Sequence, residues 1–348
     1  MSHTATLIVG RTSYLDHFLR FSTFYRPPAD LGNVMNNQPD VTIGMPVRNG
    51  GEQIRVALDS FLGQTKRDFR LLISDNQSTD NTLAICQEYA ARDSRISVVS
   101  QPVNLGICGN FRFVLMQAQT PFFMWACHDD VWSPTFIERN HANLLANPGA
   151  VASGSKVLMV PAHGAPQMAK GTAALRGPVN GRLRGFFEAP SDASRFYSLF
   201  RTRELQESFP ADIDVFGYDW IVLALTLLKG EHLELPEILL KRDDHDADHY
   251  HKSLVRRQSR TLHRFLPHLP MALTLKRVLP AEQWNAIRPL VVRRNIIEAL
   301  MYARSRFPAL SPALQRLSAL EKDFRYRQLA AGARGVESGS RDGTSGAL

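Results

Sequence analysis

The chain has 348 residues, of which 44% are apolar and 21% are charged. This composition is typical of a water-soluble protein with a sizeable core and excludes a disordered chain. The three cysteines form no CxxC pair, which argues against a disulfide scaffold and favours a reducing compartment. We expect neither a signal peptide nor a membrane-spanning helix, because no basic leader and no apolar run of about 18 residues is present.

The net charge of +8 is unevenly distributed. From Lys252 to the end, 18 basic residues accompany 6 acidic ones, so this part carries +12 and residues 1–251 carry −4. A basic segment of this kind suits an anionic membrane surface, nucleic acid or a solvated helical face. The basic residues are not interleaved with aromatic ones in a nucleic-acid-binding pattern, so we expect no nucleic acid partner.

Residues 1–40 end in a turn-rich segment and predict an N-terminal extension with a linker. From residue 41 onward, short apolar runs alternate with amphipathic patterns of helical period. The predicted strands are 41–46, 69–74, 96–100 and 122–126, and the predicted helices are 52–65, 78–93 and 109–119. This β-α alternation with nearly continuous apolar strands favours a mostly parallel sheet covered by helices on both faces.

The second half of the sequence is less regular. Residues 150–190 are rich in glycine, alanine and proline and predict no clear element. Beyond them we expect a strand running into a helix at 194–205, an apolar helix at 218–229 and a short strand from 232. Residues 252–330 predict basic helices, and 331–348 predict a disordered tail because they lack apolar content.

Polar, turn-forming residues follow each of the four predicted strands. The clusters are "PVRNGGE", "SDNQSTD", "QPVNLG" and "HDD". Ligands of open α/β sheets bind outside the carboxyl ends of the strands. We therefore expect the functional site at this edge.

Two common site types do not fit these clusters. The first turn, "GMPVRNGG", is not the G-x-G-x-x-G of a dinucleotide site, although Asp75 follows the second strand as a ribose-binding acid would. The stretch "HDADHYH" matches no standard zinc spacing. An acidic turn at the end of a strand suits Mg²⁺ or Mn²⁺, which prefer oxygen ligands shared with substrate phosphates.

The segment "VTIGMPVRNGGEQIRVALDSFLGQTKRDFRLLISDNQSTDNT", followed by "NLG" and "HDDVWSP", resembles the inverting family 2 glycosyltransferases. The resemblance weakens over residues 150–200 and returns in "GYDWIVLALTLLKG" and "PEILLKRDDH". It implies an α/β GT-A fold, a doubly wound mixed sheet with helices on both faces. The implied transferase domain spans 41–251, with the basic helical region following it.

The resemblance also implies roles for individual residues. The nucleotide side would be lined by Pro46, Val47, Arg48, Asn49, Glu52, Asp75, Asn104, Arg112 and His128. Within this set, Asp75 would accept a hydrogen bond from the base, and His128 would contact ribose or phosphate.

The metal would bind at the acidic turn. The family often has Asp-x-Asp-Asp before the turn, whereas this chain has Cys127-His128-Asp129-Asp130. The resemblance implies Asp129 as the preferred ligand of Mn²⁺ or Mg²⁺, Asp130 as the second, and His245 as a third contact. The first acid of the motif is replaced by Cys127.

Asp219 matches the family's general base, which takes the proton from the acceptor hydroxyl. The alternative is an acid favoured at a helix start by the helix dipole. The neighbouring Trp220 could stack on a sugar, although packing is the commoner role of a tryptophan.

The resemblance implies transfer of a sugar from a UDP- or dTDP-linked donor to a glycan or lipid-linked glycan. It suggests a cytoplasmic protein, with the basic helices in peripheral contact with the anionic inner face of the membrane. The missing acid at Cys127 motivates an alternative: a catalytically weak scaffold protein that binds sugar nucleotides.

Overall fold

The computed structural model describes residues 39–161, 163–188, 194–244 and 266–306, and their backbone forms one mixed sheet flanked by helices. The strands are β1 (Val41–Val47), β2 (Phe69–Asp75), β3 (Ile96–Ser100), β4 (Phe122–Trp125), β5 (Val131–Trp132), β6 (Ala150–Pro161), β7 (Gln167–Met168), β8 (Leu199–Arg201) and β9 (Glu231–Asp244). The helices are α1 (Ile54–Leu62), α2 (Thr82–Arg92), α3 (Gly106–Met116), α4 (Phe136–Ala146), α5 (Val179–Glu188), α6 (Thr202–Glu207), α7 (Tyr218–Lys229), α8 (Leu269–Val278) and α9 (Ala281–Arg306).

The first four strands form a parallel half-sheet in the order β3-β2-β1-β4. The predicted strands and helices of this half are confirmed, with small shifts at their ends. The loops that leave the strands are tied to the neighbouring strand. Asn76 N–H donates to the Val47 carbonyl at 2.8 Å, and Ala126 N–H donates to the Gly44 carbonyl at 2.9 Å. The carboxyl ends of these strands therefore meet at one edge, as the sequence predicts.

Gly44 in the middle of β1 allows close packing of the sheet against α3. A Cβ at this position would lie 2.7 Å from both Phe123 and Val114 side-chain atoms. Such contacts are shorter than van der Waals distance, so any larger residue would push β4 or α3 outward. The strand is otherwise fully buried and apolar apart from Thr42.

The second half of the sheet is mixed. β8 is antiparallel to β4 and to β6, β9 runs parallel to β6, and β5 is antiparallel to β9. Residues 150–190, which predict no element from sequence, contain the 12-residue β6 and the helix α5. The strand predicted to be short from residue 232 is the 14-residue β9. Its length brings Arg242 beside the turn that follows β4.

The helices α8 and α9 follow the sheet in the sequence and pack on α7 and α5. Asn180 Nδ2 on α5, for example, donates to Glu282 Oε1 on α9 at 2.8 Å. None of the described helices combines the length and the apolar character needed to cross a membrane. The division into an extension, a transferase domain, a basic helical region and a tail stays a prediction, and residues 1–38 and 307–348 lie outside the described part of the chain.

Candidate active site

The loops after β1 and β2 are held together by hydrogen bonds at the carboxyl edge of the sheet. Asn49 N–H donates to Ser78 Oγ at 2.9 Å, and Thr79 N–H donates to Asn49 Oδ1 at 2.8 Å. Gly51 N–H donates to Thr82 Oγ1 at 2.9 Å. Asn49 has a φ of 55°, a left-handed conformation that asparagine tolerates better than most residues. These bonds fix the two loops relative to each other.

Asp75 ends β2 and faces this edge with an incompletely bonded carboxylate. Its side chain is 1% exposed, and Oδ2 accepts a bond from Ser78 N–H at 3.2 Å. Within the described residues, Oδ1 is buried and has no hydrogen-bond partner. A buried unpaired acceptor costs about 1–3 kcal/mol. An N–H donor on a ligand would remove that cost.

The remaining predicted nucleotide residues of β1 and its turn differ in exposure. Pro46 and Val47 are buried inside the strand, whereas Arg48 and Asn49 are exposed on the turn. The Glu52 side chain is 66% exposed and is paired with Arg55 Nε at 2.8 Å. The polar residues of this group are therefore at the protein surface, and the apolar ones are buried in β1.

Asn104 and Arg112 lie on the β3 side of the edge. Asn104 Oδ1 accepts bonds from Asn76 Nδ2 at 3.0 Å and from Gly106 N–H at 2.9 Å, so this oxygen closes the loop before α3. Arg112 is half-buried on α3, and burial lowers the pKa of its guanidinium. Loss of solvation makes such a cation a favourable partner for an anion.

The acidic turn after β4 gathers Cys127, Asp129 and Asp130. One potential ligand atom from each lies within 4.8 Å of the others. Cys127 and Asp129 are half-buried, whereas Asp130 is 1% exposed. Asp129 therefore offers the more accessible carboxylate of the two predicted metal ligands.

Asp130 is compensated by a basic side chain from the far end of the sheet. Arg242 Nε donates to Asp130 Oδ2 at 3.0 Å, and the side chains are 14% and 1% exposed. The Arg242 guanidinium also lies 4.4 Å from the centre of the Tyr197 ring. Burial raises the pKa of Asp130 to about 6, although Arg242 opposes this shift. At pH 7 the pair is ionised, so the two adjacent acids are partly neutralised by the protein itself.

His128 connects the acidic turn with the loop after β1. A Cβ on Gly50 would lie 2.9 Å from His128 Cδ2, so the imidazole packs against the backbone of that turn. The half-buried ring therefore lies beside the turn that carries the predicted nucleotide residues Arg48 and Asn49. His245, the third predicted metal contact, lies outside the described residues.

Asp219 is the second residue of α7 and is half-buried. Burial raises the pKa of its carboxyl to about 6, while the backbone N–H groups of Trp220 and Asp219 and the charge of Arg242 act in the opposite direction. An acid with this pKa is ionised at pH 7 and is still basic enough to accept a proton. The helix-start position expected from the dipole argument is confirmed, and it coexists with properties suited to a general base.

An aromatic cluster joins Asp219 to the acidic turn. Trp125, at the end of β4, stacks on Phe196 with ring centres 4.0 Å apart, and Phe196 contacts Tyr218 at 5.8 Å. Phe111 contacts both Phe196 and Tyr218 at 5.8 and 5.9 Å. Trp125, which precedes the acidic turn, and Tyr218, which precedes Asp219, therefore belong to one packed cluster.

The sequence does not predict the contacts that two further residues, Tyr197 and Arg242, make with the acidic turn. Tyr197 lies in the segment 194–205, for which the sequence predicts only a strand running into a helix, and its hydroxyl is 2.9 Å from Cys127 Sγ. Arg242 is recognisable as a strand-end cation in "LLKRDDH", but nothing in the sequence pairs it with Asp130, which is 112 positions away.

The comparisons with known proteins agree with this fold. The family model described as Glycosyl transferase family 2 matches residues 42–200. "Putative glycosyltransferase EpsE" of Bacillus subtilis is 27% identical over 229 residues, covering 61% of this chain and 76% of that protein. The Escherichia coli protein named UDP-Glc:alpha-D-GlcNAc-diphosphoundecaprenol beta-1,3-glucosyltransferase WfgD is 31% identical over 107 residues, 31% of this chain and 42% of that protein.

Among solved structures, S. aureus TarS 1-349 superposes with a TM-score of 0.50 at 17% identity, covering 77% of this chain and 91% of that chain. This likeness concerns the fold. The fold and these similarities identify a glycosyltransferase of the GT-A fold. The chain contains a glycosyl transferase family 2 domain, matched over residues 42–200.

Proposed function

We propose that this chain transfers a single sugar, with inversion, from a UDP- or dTDP-sugar to a hydroxyl group of a glycan or lipid-linked glycan. The observation that carries the proposal is the buried Asp75 carboxylate with its unpartnered Oδ1. Asp75 ends β2 and Asp129 follows β4, a strand of the same parallel half-sheet. The charge of Arg242, which is bonded to Asp130, also acts on Asp219. These residues would provide an acceptor for a base N–H, acids for a diphosphate-metal complex and an acid for proton transfer.

On the donor side, Asp75 would accept a hydrogen bond from the N–H of a pyrimidine base. Uracil and thymine both present such a donor beside their carbonyl groups, which is why we favour these two bases. Arg112 on α3 and His128 in the acidic turn would contact phosphate or ribose. The interlocked loops of Asn49 and Thr79 would keep the base site preformed, so that little ordering accompanies binding.

The donor set of the acidic turn fits a hard divalent cation, Mn²⁺ or Mg²⁺. Asp129 would hold it, with Asp130 as the second ligand, although Asp130 already accepts hydrogen bonds from Arg242 Nε and from the backbone N–H of Asp243. A bound cation would neutralise charge on the departing diphosphate. Because Arg242 already compensates one of the two acids, we expect weak metal binding in the absence of donor.

On the acceptor side, Asp219 would act as the general base. Its carboxylate takes the proton of the acceptor hydroxyl while the hydroxyl oxygen forms a bond to the anomeric carbon. The bond from that carbon to the diphosphate oxygen breaks, and its electron pair leaves with the diphosphate. One displacement at the carbon inverts its configuration.

The name of the E. coli relative supports the choice of substrates. It gives UDP-Glc as the donor and a sugar linked to diphosphoundecaprenol as the acceptor. A lipid-linked acceptor would place this chain at a membrane surface, on the cytoplasmic side. Lys276 and Arg288 are exposed on α8 and α9, and each basic residue near an anionic bilayer contributes about 1 kcal/mol of attraction.

A thermal-shift panel of UDP-, GDP- and dTDP-sugars, each with and without Mn²⁺, tests the donor proposal. We expect stabilisation by UDP- or dTDP-sugars that grows with ligand excess, about 2.7 kcal/mol at a hundredfold excess over Kd. No shift with any donor would refute the proposed site. Sedimentation with anionic and neutral vesicles, using Lys276→Glu with Arg288→Glu as the variant, tests the membrane contact separately. Binding unchanged by the double variant would refute that contact.

Cys127 favours a second candidate, a sugar-nucleotide-binding scaffold with little turnover. Here a thiol stands where the family often has an acid, and its neighbour Asp130 is engaged by Arg242. Release of UDP from UDP-glucose, measured with Mn²⁺ and with EDTA, separates the candidates. Metal-dependent release supports the enzyme, whereas binding without release in the presence of any acceptor supports the scaffold.

A further inference from the structure

The start of α7, which carries Asp219, is enclosed by residues that lie beyond the family-matched segment. Gly217 precedes the helix with a φ of 79°. A Cβ on this glycine would lie 2.7 Å from Met271 Sδ, so the methionine of α8 rests directly on the backbone at the helix start. The turn can adopt this conformation and accept this contact because residue 217 has no side chain.

Trp220, the residue after Asp219, is the centre of the packing in this region. It is 4% exposed, so it is not available to stack on a sugar. The His268 ring stacks on it with centres 5.2 Å apart and an interplanar angle of 14°. The Arg294 guanidinium lies 5.7 Å from its centre, and Phe186 on α5 contacts it edge-on at 6.2 Å. Residues before α8 and within α9 thus hold the tryptophan from two directions.

His268 contributes a ring rather than a titrating group. It is 0% exposed, and neither ring nitrogen has a hydrogen-bond partner within the described residues. Burial lowers its pKa to about 3, and Arg294 acts in the same direction, so the imidazole is neutral at pH 7. A histidine that bonds nothing through its nitrogens acts through the shape of its ring, here between Trp220 and Phe216, whose ring centre is 5.3 Å away.

We propose that His268 and Met271 are positioning residues for catalysis. They hold the backbone from Gly217 through Trp220 in place, so that the carboxylate of Asp219 faces the acceptor site. The C-terminal helices are then part of the catalytic unit, in addition to any contact they make with a membrane. This inference rests on the proposed role of Asp219 as the base. Misplacing a catalytic group by about 1 Å can reduce turnover by about a hundredfold, whereas the proposed donor contacts lie outside α8 and should be insensitive to it.

The test compares His268→Ala with His268→Phe in the full chain, with Leu273→Ala as the matched control. Leu273 is also on α8 but is 57% exposed. The readouts are kcat and KM for UDP release from UDP-glucose with Mn²⁺, the pH dependence of kcat, and Tm. A different donor replaces UDP-glucose if the thermal-shift panel selects one.

We expect His268→Ala to lower kcat about tenfold or more while donor KM changes less than about twofold. The inflection of kcat near pH 6 should move toward the ordinary value of an aspartate, because a loosened helix start admits water to Asp219. His268→Phe should restore kcat, since it keeps the stacked ring and removes two unpaired nitrogens. Leu273→Ala should behave as the wild type.

Three outcomes would overturn the proposal: wild-type kcat in His268→Ala, a kcat loss accompanied by an equal loss of donor affinity, or a folded His268→Phe as slow as the alanine variant. The last would mean that a ring nitrogen takes part in the chemistry. If His268→Ala does not fold, Met271→Ala removes the contact to Gly217 and is judged by the same measurements. Asp219→Asn with wild-type turnover would instead refute the base, and it leaves the proposed donor site untouched.

Discussion

Replacement of Asp219 by asparagine should remove the proposed base while preserving the helix start. Asparagine has nearly the same shape and can still accept bonds from the N–H groups at the N-terminus of α7. Loss of a positioned base typically lowers turnover by about 10²–10⁴-fold. Donor affinity should change little, because the proposed donor contacts come from other elements.

The raised pKa of Asp219 gives this prediction a second, quantitative part. With a pKa of about 6, about 9% of the carboxyl is ionised at pH 5, compared with about 94% for an aspartate of ordinary pKa 3.8. Turnover that requires the carboxylate should therefore rise about tenfold from pH 5 to pH 7. An unperturbed base would give an almost flat profile over the same range.

The assay is UDP release from UDP-glucose with saturating Mn²⁺, followed from pH 5 to pH 8 for the wild type, Asp219→Asn and the control Asp214→Asn. Asp214 is an exposed acid just before α7. Asp130 also titrates near pH 6, so the informative comparison is the slope that disappears in Asp219→Asn. An equally steep profile in that variant, or turnover within about twofold of the wild type, would refute the assignment.

Three further variants test the remaining parts of the site. Asp75→Ala should raise the donor Kd about 10- to 100-fold. It should lower Tm by no more than a few degrees, because it removes an unpaired buried oxygen. An unchanged affinity for UDP in titration calorimetry would contradict this prediction. Asp129→Asn should weaken Mn²⁺-dependent donor binding, whereas EDTA should have little further effect on that variant in the thermal-shift assay. Arg242→Met should destabilise the protein by about 3–5 kcal/mol because Asp130 is left buried without its partner; in urea unfolding, adding Asp130→Leu should recover much of this loss, and no recovery would refute the pairing.

The parallel half of the fold is predictable from the sequence because its signals are local. Each strand from β1 to β4 is a short apolar run, and each helix between them shows helical spacing. The strand ends then place Asp75 and Asp129 at a common edge by topology alone. These predictions need no knowledge of contacts between distant residues.

The second half is not predictable in the same way, for physical reasons. β6 carries small residues such as Gly154 and Ser155 at buried or half-buried positions, so its apolar period is weak although it pairs on both sides. The compensation of Asp130 by Arg242 depends on a strand 112 residues away. No local pattern reports such a pairing, and the same holds for the stacking of His268 on Trp220.

The Asp130–Arg242 pair has a consequence for the order in which parts of the chain fold during synthesis. Asp130 emerges from the ribosome long before Arg242. Until β9 is synthesised, the Asp130 carboxylate lacks the Arg242 guanidinium that compensates its charge when it is buried. A nascent chain ending near residue 230 would hold the parallel half-sheet with an acidic turn that still needs water. We infer that the turn after β4 folds late, when the last strand adds to the sheet. Truncated chains that lack β9 are therefore unsuitable for studying the proposed metal site.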